Sequence, residues 1–289
     1  MRPPPRVMPA IITPFTDSGS IDRDAHRANV AELWEREVFG VVIGGSNGEG
    51  PYLEPGERKM LASDARHASP DGFVLVGIAA ESLRLALQMA HEAAEAGADA
   101  VLAMTPTTLV RHRVDLEEGF FSDLADASPL PVFLYSVPRV TAYELAMDSV
   151  VRLASHPNIV GMKDSGGDAV RCMTIAQSAP GGFFMFIGAS GAVAQSVAGG
   201  AHGAVTASAN YAPQLVAEVI GVAGTPAANE PHERLLKLSG AIERHGVAAV
   251  KYAATRTGLR GGKVRRPLRE VSDSVAAEVD AALAAAGIL

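Results

Sequence analysis

Eight short apolar runs, recurring about every 25–35 residues with amphipathic stretches between them, limit most strongly how this chain can fold. They are Val7–Ile12, Val38–Ile43, Phe73–Ile78, Ala100–Met104, Pro131–Tyr135, Ile159–Met162, Phe183–Ile187 and Gly203–Ala207. Stretches such as Asp22–Glu37, Glu81–Gly97 and Tyr143–Ser155 read as helices between them. Asp22 is placed to cap the first, and Gly97 to end the second. Strands alternating with helices imply a parallel sheet with right-handed crossovers. Eight such units over about 220 residues fit a (β/α)8 barrel, with an open doubly wound sheet as the alternative.

The pattern changes after Gly224-Thr225-Pro226. No strand-like run follows, and His232–Arg244, Gly246–Thr257 and Ser272–Ala286 read as helices. The expected division is a barrel over residues 1–224 and a C-terminal helical extension over 225–289. The basic stretch Arg256, Arg260, Lys263, Arg265, Arg266 and Arg269 reads first as a solvated or interface-facing loop.

Composition excludes several classes of function. A net charge of −7 argues against a nucleic-acid partner, which needs a basic face. The single cysteine, Cys172, rules out an internal disulfide and fits a reducing compartment. Neither a signal peptide nor a membrane span is legible, so the expected location is cytoplasmic. The eight histidines are scattered without ligand spacing, which gives a metal site little support.

Four places can carry chemistry, because a barrel builds its site at the C-terminal ends of its strands. The run Ile159-Val160-Gly161-Met162-Lys163 ends on a lysine. Burial disfavours the charged form of an amine, and a neutral amine is what a Schiff-base nucleophile needs. Tyr135 ends the preceding run 28 residues earlier, one strand–helix–strand unit away, so the two side chains can meet. Gly44-Gly45-Ser46-Asn47-Gly48-Glu49 follows the second strand and can offer converging N–H groups to an anion. It has neither dinucleotide-fingerprint nor P-loop spacing. Thr105–Arg113 follows the fourth strand and carries Arg111 and Arg113, either of which can pair with a carboxylate. Each place also has a plainer reading: a snorkelling lysine, a core tyrosine, a tight turn, a solvated loop.

Together these motifs resemble the dihydrodipicolinate synthase / N-acetylneuraminate lyase family of pyruvate-dependent class I aldolases. The resemblance runs from Thr13-Pro14-Phe15 through Gly45-Ser46-Asn47-Gly48-Glu49, Tyr135-Ser136-Val137-Pro138 and Gly161-Met162-Lys163-Asp164-Ser165 to Arg266-Pro267-Leu268. It implies that Lys163 forms the Schiff base, that Tyr135 relays protons with Ser46, and that Ser46 and Asn47 hold a 2-oxo acid's carboxylate. It extends substrate contacts to Gly45, Thr108, Gly188 and Val205. It implies 2-oxo acid and aldehyde substrates, no metal or organic cofactor because the imine is the electron sink, and a homotetramer built as a dimer of dimers.

Three positions depart from the lysine-pathway synthases. Ser46-Asn47 stands for their Thr-Thr, Thr108 for a relay tyrosine that reaches across the dimer, and Val140 for a carboxylate-binding arginine, with Arg139 one residue early. Gly188-Ala189-Ser190-Gly191 lacks the acids with which sialic acid lyases hold sugar hydroxyls. The Ser46 loop and the stretch ending at Asp168 resemble 4-hydroxy-2-oxoglutarate aldolase. The expected reaction is therefore cleavage of that substrate to pyruvate and glyoxylate. The alternatives are 4-hydroxy-tetrahydrodipicolinate synthesis, another 2-keto-3-deoxy acid aldolase or dehydratase, and a non-catalytic ligand-binding homologue.

Overall fold

The computed structural model describes residues 2–289. Its strands are β1 Val7–Pro9, β2 Gly40–Ile43, β3 Phe73–Ile78, β4 Ala100–Met104, β5 Val132–Ser136, β6 Ile159–Asp164, β7 Phe184–Ile187 and β8 Gly203–Thr206. The helices that cover them are α1 Arg23–Glu35, α2 Glu57–Ala68, α3 Leu83–Glu95, α4 Val114–Ala127, α5 Pro138–Thr141, α6 Met147–Leu153, α7 Ala169–Ser178, α8 Val193–Ala198 and α9 Pro213–Val222. Then come α10 Asn229–Glu243, α11 Val247–Arg256 and α12 Asp273–Ala285.

All strand pairs are parallel and sequential, and β1 pairs with β8 through Val7–Ala204, Met8–Val205 and Pro9–Thr206. Past Pro9 the chain bridges to β2, where the Ile11 N–H donates to the Val42 carbonyl at 3.1 Å. That contact closes the ring, so the fold is a (β/α)8 barrel and not the open sheet. β1 stops short of the apolar run Val7–Ile12 because the Ile12 N–H turns to the Asn210 side chain at 3.1 Å.

Side-chain alternation sorts the strands into two cores. Met8, Val42, Leu75, Leu102, Phe133, Tyr135, Phe186 and Val205 fill the barrel. Val41, Ile43, Val74, Val76 and Val101 face outward, against the helices. Leu235, Leu238 and Ile242 of α10, Val250 of α11, and Val279 and Leu283 of α12 join this outer core.

The capping expectations hold locally. The Asp22 side chain accepts from the Ala25 N–H at 2.9 Å, and Gly97 takes the left-handed conformation (φ +82°) beyond α3. The stretch Tyr143–Ser155 does not form one helix. Its N-terminal part is diverted into side-chain bonds: Thr141 Oγ1 donates to the Tyr143 carbonyl at 2.7 Å, and the Leu145 carbonyl accepts from Arg171 at 2.5 Å.

Candidate active site

Lys163 lies at the C-terminal end of β6, in register with Tyr135 of β5, and is 4% exposed. Its Nζ sits 4.6 Å from the centroid of the Tyr135 ring. Among the described residues no side chain or carbonyl hydrogen-bonds to that amine. The strand runs on to Asp164, where a buried network fixes its end. Arg171 Nε donates to Asp164 Oδ2 at 2.8 Å, the Gly166 N–H donates to Oδ1 at 2.8 Å, and the Gly188 N–H donates to the Asp164 carbonyl at 2.6 Å. Gly188 is glycine for lack of space. A Cβ there would stand 2.8 Å from Lys163 Cε and 2.0 Å from Ser165 Oγ. The sequence-predicted contact at Gly188 is thus a wall against which the lysine stem lies.

The loop after β2 turns on Gly44 (φ +65°). The N–H groups of Gly48 and Gly50 fold back onto the Gly45 carbonyl at 3.0 Å, and that of Glu49 onto Ser46 at 3.1 Å. Those of Ser46 and Asn47 find no acceptor among the described residues, and both residues face the same cavity as Lys163 and Tyr135. Neighbouring free N–H groups on a cavity wall can hold a carboxylate. Ser46 and Tyr135 both line the cavity without bonding to each other.

Two supports of this loop come from residues that the sequence reading did not single out as functional. Arg58 of α2 donates to the carbonyls of Gly44 and Gly77 at 2.9 Å and of Gly50 at 3.0 Å. Burial lowers its pKa to about 10. Glu49, left-handed at φ 55°, is buried against Lys251 of α11, with Nζ to Oε1 at 2.8 Å. Lys251 also donates to the carbonyls of Thr13, at 2.8 Å, and Lys263. Burial pulls the Lys251 pKa down, against the attraction of Glu49. Nothing local in the helix pattern marks Lys251, because its partner lies about 200 residues away.

Removing one partner of a buried pair leaves an uncompensated charge, at a cost of about 3–5 kcal/mol. Lys251→Met should therefore lower unfolding stability by about that much. Denaturant unfolding that shows no loss would rule out this role.

The cavity, about 520 Å³, runs from Lys163 and Tyr135 to a wall formed by α10 and α11. Arg139 lines it, so the cation one residue early in sequence still faces the site, beside the uncharged Val140. The other predicted contacts fall elsewhere. Thr108 is on the exposed loop after β4, its N–H bonded to Glu81 at 2.8 Å, and Val205 fills the barrel interior with no exposure. Arg111 and Arg113 are exposed, and Arg113 lies 3.7 Å from Asp115. A single chain therefore brings neither Thr108 nor these arginines to Lys163. Lys263, Arg265, Arg266 and Arg269 of the basic stretch border a different, open depression of about 800 Å³. Arg265 there is engaged with Glu57 at 2.6 Å, and Lys163 is absent from it, so the narrower cavity is the candidate site. Among the described residues no three His, Cys, Asp or Glu side chains converge as metal ligands would. No helix is long and apolar enough to cross a membrane.

Comparison with known proteins agrees with this geometry. The sequence model of the Dihydrodipicolinate synthetase family matches residues 3–286. A 4-hydroxy-tetrahydrodipicolinate synthase of Laribacter hongkongensis is 32% identical over 290 residues, covering 97% of this chain and 98% of the relative. One from Methanothrix thermoacetophila is 35% identical over 273 residues, covering 92% of each. The structure of the Acinetobacter baumannii dihydrodipicolinate synthase, complexed with pyruvate, superposes with a TM-score of 0.92 at 28% identity, over 98% of this chain and 99% of that one. A prophage protein of E. coli K12 from the same family, also in complex with pyruvate, gives 0.91 at 26% identity over 98% of each. With a family model spanning nearly its whole length and relatives above 30% identity over more than nine-tenths of it, this chain belongs to the dihydrodipicolinate synthetase family of carbon–carbon lyases.

Proposed function

We propose that this chain is a class I lyase that makes or breaks a C–C bond between pyruvate and an aldehyde bearing a carboxylate. The observation that carries the reading is the buried, unbonded Nζ of Lys163, 4.6 Å from the Tyr135 ring and in one cavity with the free N–H groups of Ser46 and Asn47. Lys163 attacks C2 of a 2-oxo acid, the resulting C2 hydroxyl takes the Tyr135 phenolic proton and leaves as water, and a protonated imine and a Tyr135 phenolate form. The imine draws in the electron pair of the C3–C4 bond as the C4 hydroxyl gives its proton to Tyr135. The aldehyde departs, the enamine takes a proton at C3, and hydrolysis returns pyruvate and the free amine. Ser46 and Asn47 supply the carboxylate cradle, and Arg139 a cation for the carboxylate of the aldehyde partner.

Two aldehydes have specific support. The relatives above 30% identity are named 4-hydroxy-tetrahydrodipicolinate synthases, which speaks for aspartate semialdehyde. The Ser46-Asn47 loop and the Tyr135-Ser136-Val137-Pro138 motif speak for glyoxylate, and hence for 4-hydroxy-2-oxoglutarate. No relative named above carries the latter activity, so it stands on motifs alone. Since Arg139 lines the cavity, the lack of charge at Val140 is no longer an argument against aspartate semialdehyde. The deciding experiment is kcat/KM for cleavage of 4-hydroxy-2-oxoglutarate beside condensation of pyruvate with aspartate semialdehyde. A clear preference for either assigns the partner. Borohydride reduction with pyruvate that leaves Lys163 unmodified sinks the whole reading.

A further inference from the structure

Three basic or acidic side chains line the cavity among the described residues: Lys163, Arg139 and Glu243, the one carboxyl group of the set. The mechanism above uses the first two and leaves Glu243 without a task. Glu243 ends α10, and no sequence motif pointed to it. Its carboxyl group is oriented from behind. Oε1 accepts from Ser190 Oγ at 2.6 Å and from Tyr211 Oη at 3.2 Å. Ser190 is itself backed by Ser208 at 2.9 Å, and Ser208 by Thr206 at 3.0 Å. Tyr211, Ser190 and Ser208 are all buried. With Oε1 held by these two hydroxyls, Oε2 accepts from no side chain among the described residues. The rest of the α10–α11 wall is small or apolar: Leu236, Ser239, Val247 and Val250. Burial raises the Glu243 pKa, and the Ser190 and Tyr211 hydroxyls, Arg139 and the Ser208 backbone N–H act in the opposite sense. Arg139 is thus near, but forms no ion pair with Glu243 within 4.0 Å. A space between a cation and an oriented carboxyl oxygen suits a ligand that carries a carboxylate and, beside it, a hydrogen-bond donor.

We propose that Glu243 is a specificity-determining residue: its second carboxyl oxygen takes an O–H or N–H donor on the carbon next to the carboxylate of the aldehyde partner, while Arg139 takes that carboxylate. The inference rests on the lyase reading above. It gives the C-terminal extension a part in substrate choice, because the reading group lies on α10 and only its orientation comes from the barrel loops.

Three four-carbon semialdehydes differ at that single carbon: 4-oxobutanoate (hydrogen), 2-hydroxy-4-oxobutanoate (hydroxyl) and 2-amino-4-oxobutanoate (ammonium). Each is condensed with pyruvate by wild type and by Glu243→Gln. Glutamine keeps an oxygen for Ser190 and Tyr211 but turns an N–H₂ donor toward the cavity. Wild type should prefer a donor-bearing aldehyde over 4-oxobutanoate by about 10- to 100-fold in kcat/KM, the worth of one hydrogen bond to a charged group. Which of the two is preferred separates a hydroxy from an amino partner. Glu243→Gln should erase the ratio. Glu243→Ala should do the same, and an equal ratio in both variants guards against a folding defect in either. The proposal is overturned if wild type does not discriminate, if the ratio survives in the variants, or if all three aldehydes fall together. Borohydride trapping of pyruvate on Lys163 distinguishes the levels of failure. No adduct in wild type ends both the lyase reading and the inference, whereas an adduct with an unchanged ratio ends the inference alone.

Discussion

Lys163→Ala should reduce turnover to background and abolish the adduct that borohydride forms with pyruvate. The physical ground is that the imine is the only electron sink in the proposed path. Without it the C3–C4 electron pair must collapse onto an unactivated 2-oxo group. A residue that supplies a covalent intermediate is not compensated by binding groups that remain. The substitution should cost little in folding, because the Lys163 amine bonds to no described residue and the strand end is held instead by Asp164, Arg171 and Gly188. Intact mass after reduction should show the pyruvyl addition in wild type only, with peptide mapping to Lys163. Lys251 is the other buried lysine. It is already saturated by Glu49 and two carbonyls, so an adduct on it would refute the assignment.

Tyr135→Phe should keep the fold and the pyruvate adduct while slowing turnover by roughly 10²–10⁴, the scale of a positioned general acid or base. The ring belongs to the packed barrel interior, and phenylalanine preserves it. Only the hydroxyl is lost, next to the amine whose adduct must gain and lose protons. The resemblance assigns part of the relay to a residue after β4, where this chain has Thr108, exposed and away from the cavity. No second described residue bonds to the Tyr135 hydroxyl, so the proposed path rests the proton transfer on that single group. The loss should therefore appear in kcat more than in KM, and single-turnover kinetics separates the two. A near-normal kcat would make Tyr135 a packing residue.

The local pattern of residues settled the strand–helix alternation and left a closed barrel and an open sheet as its two outcomes. Each strand needs only a few consecutive apolar residues, and each crossover a helix, so the periodicity is written in contiguous segments. It also settled Lys163, Tyr135 and the Ser46-Asn47 turn as candidates, because strand ends and glycine turns are local features. The 28-residue spacing allowed Tyr135 and Lys163 to meet, and the register of β5 with β6 places them side by side.

What the sequence did not disclose are the relations between distant segments. Closure of the sheet depends on β1 meeting β8 and on the Ile11–Val42 bond, neither of which is a property of any one segment. The resemblance named Val205 and Thr108 as substrate contacts; strand parity turned Val205 into the barrel, and within one chain the loop after β4 holds Thr108 in solvent. Arg139 seemed misplaced by one residue, and the short helix α5 turned it toward the cavity. Glu49–Lys251 and Glu243–Ser190 join the barrel loops to the C-terminal helices. A buried charge is recognisable only when its partner is known, and here each partner is more than 50 residues away along the chain. The sequence by itself determined which strand ends could hold chemistry; the packing of the C-terminal helices against them decided which side chains share the cavity.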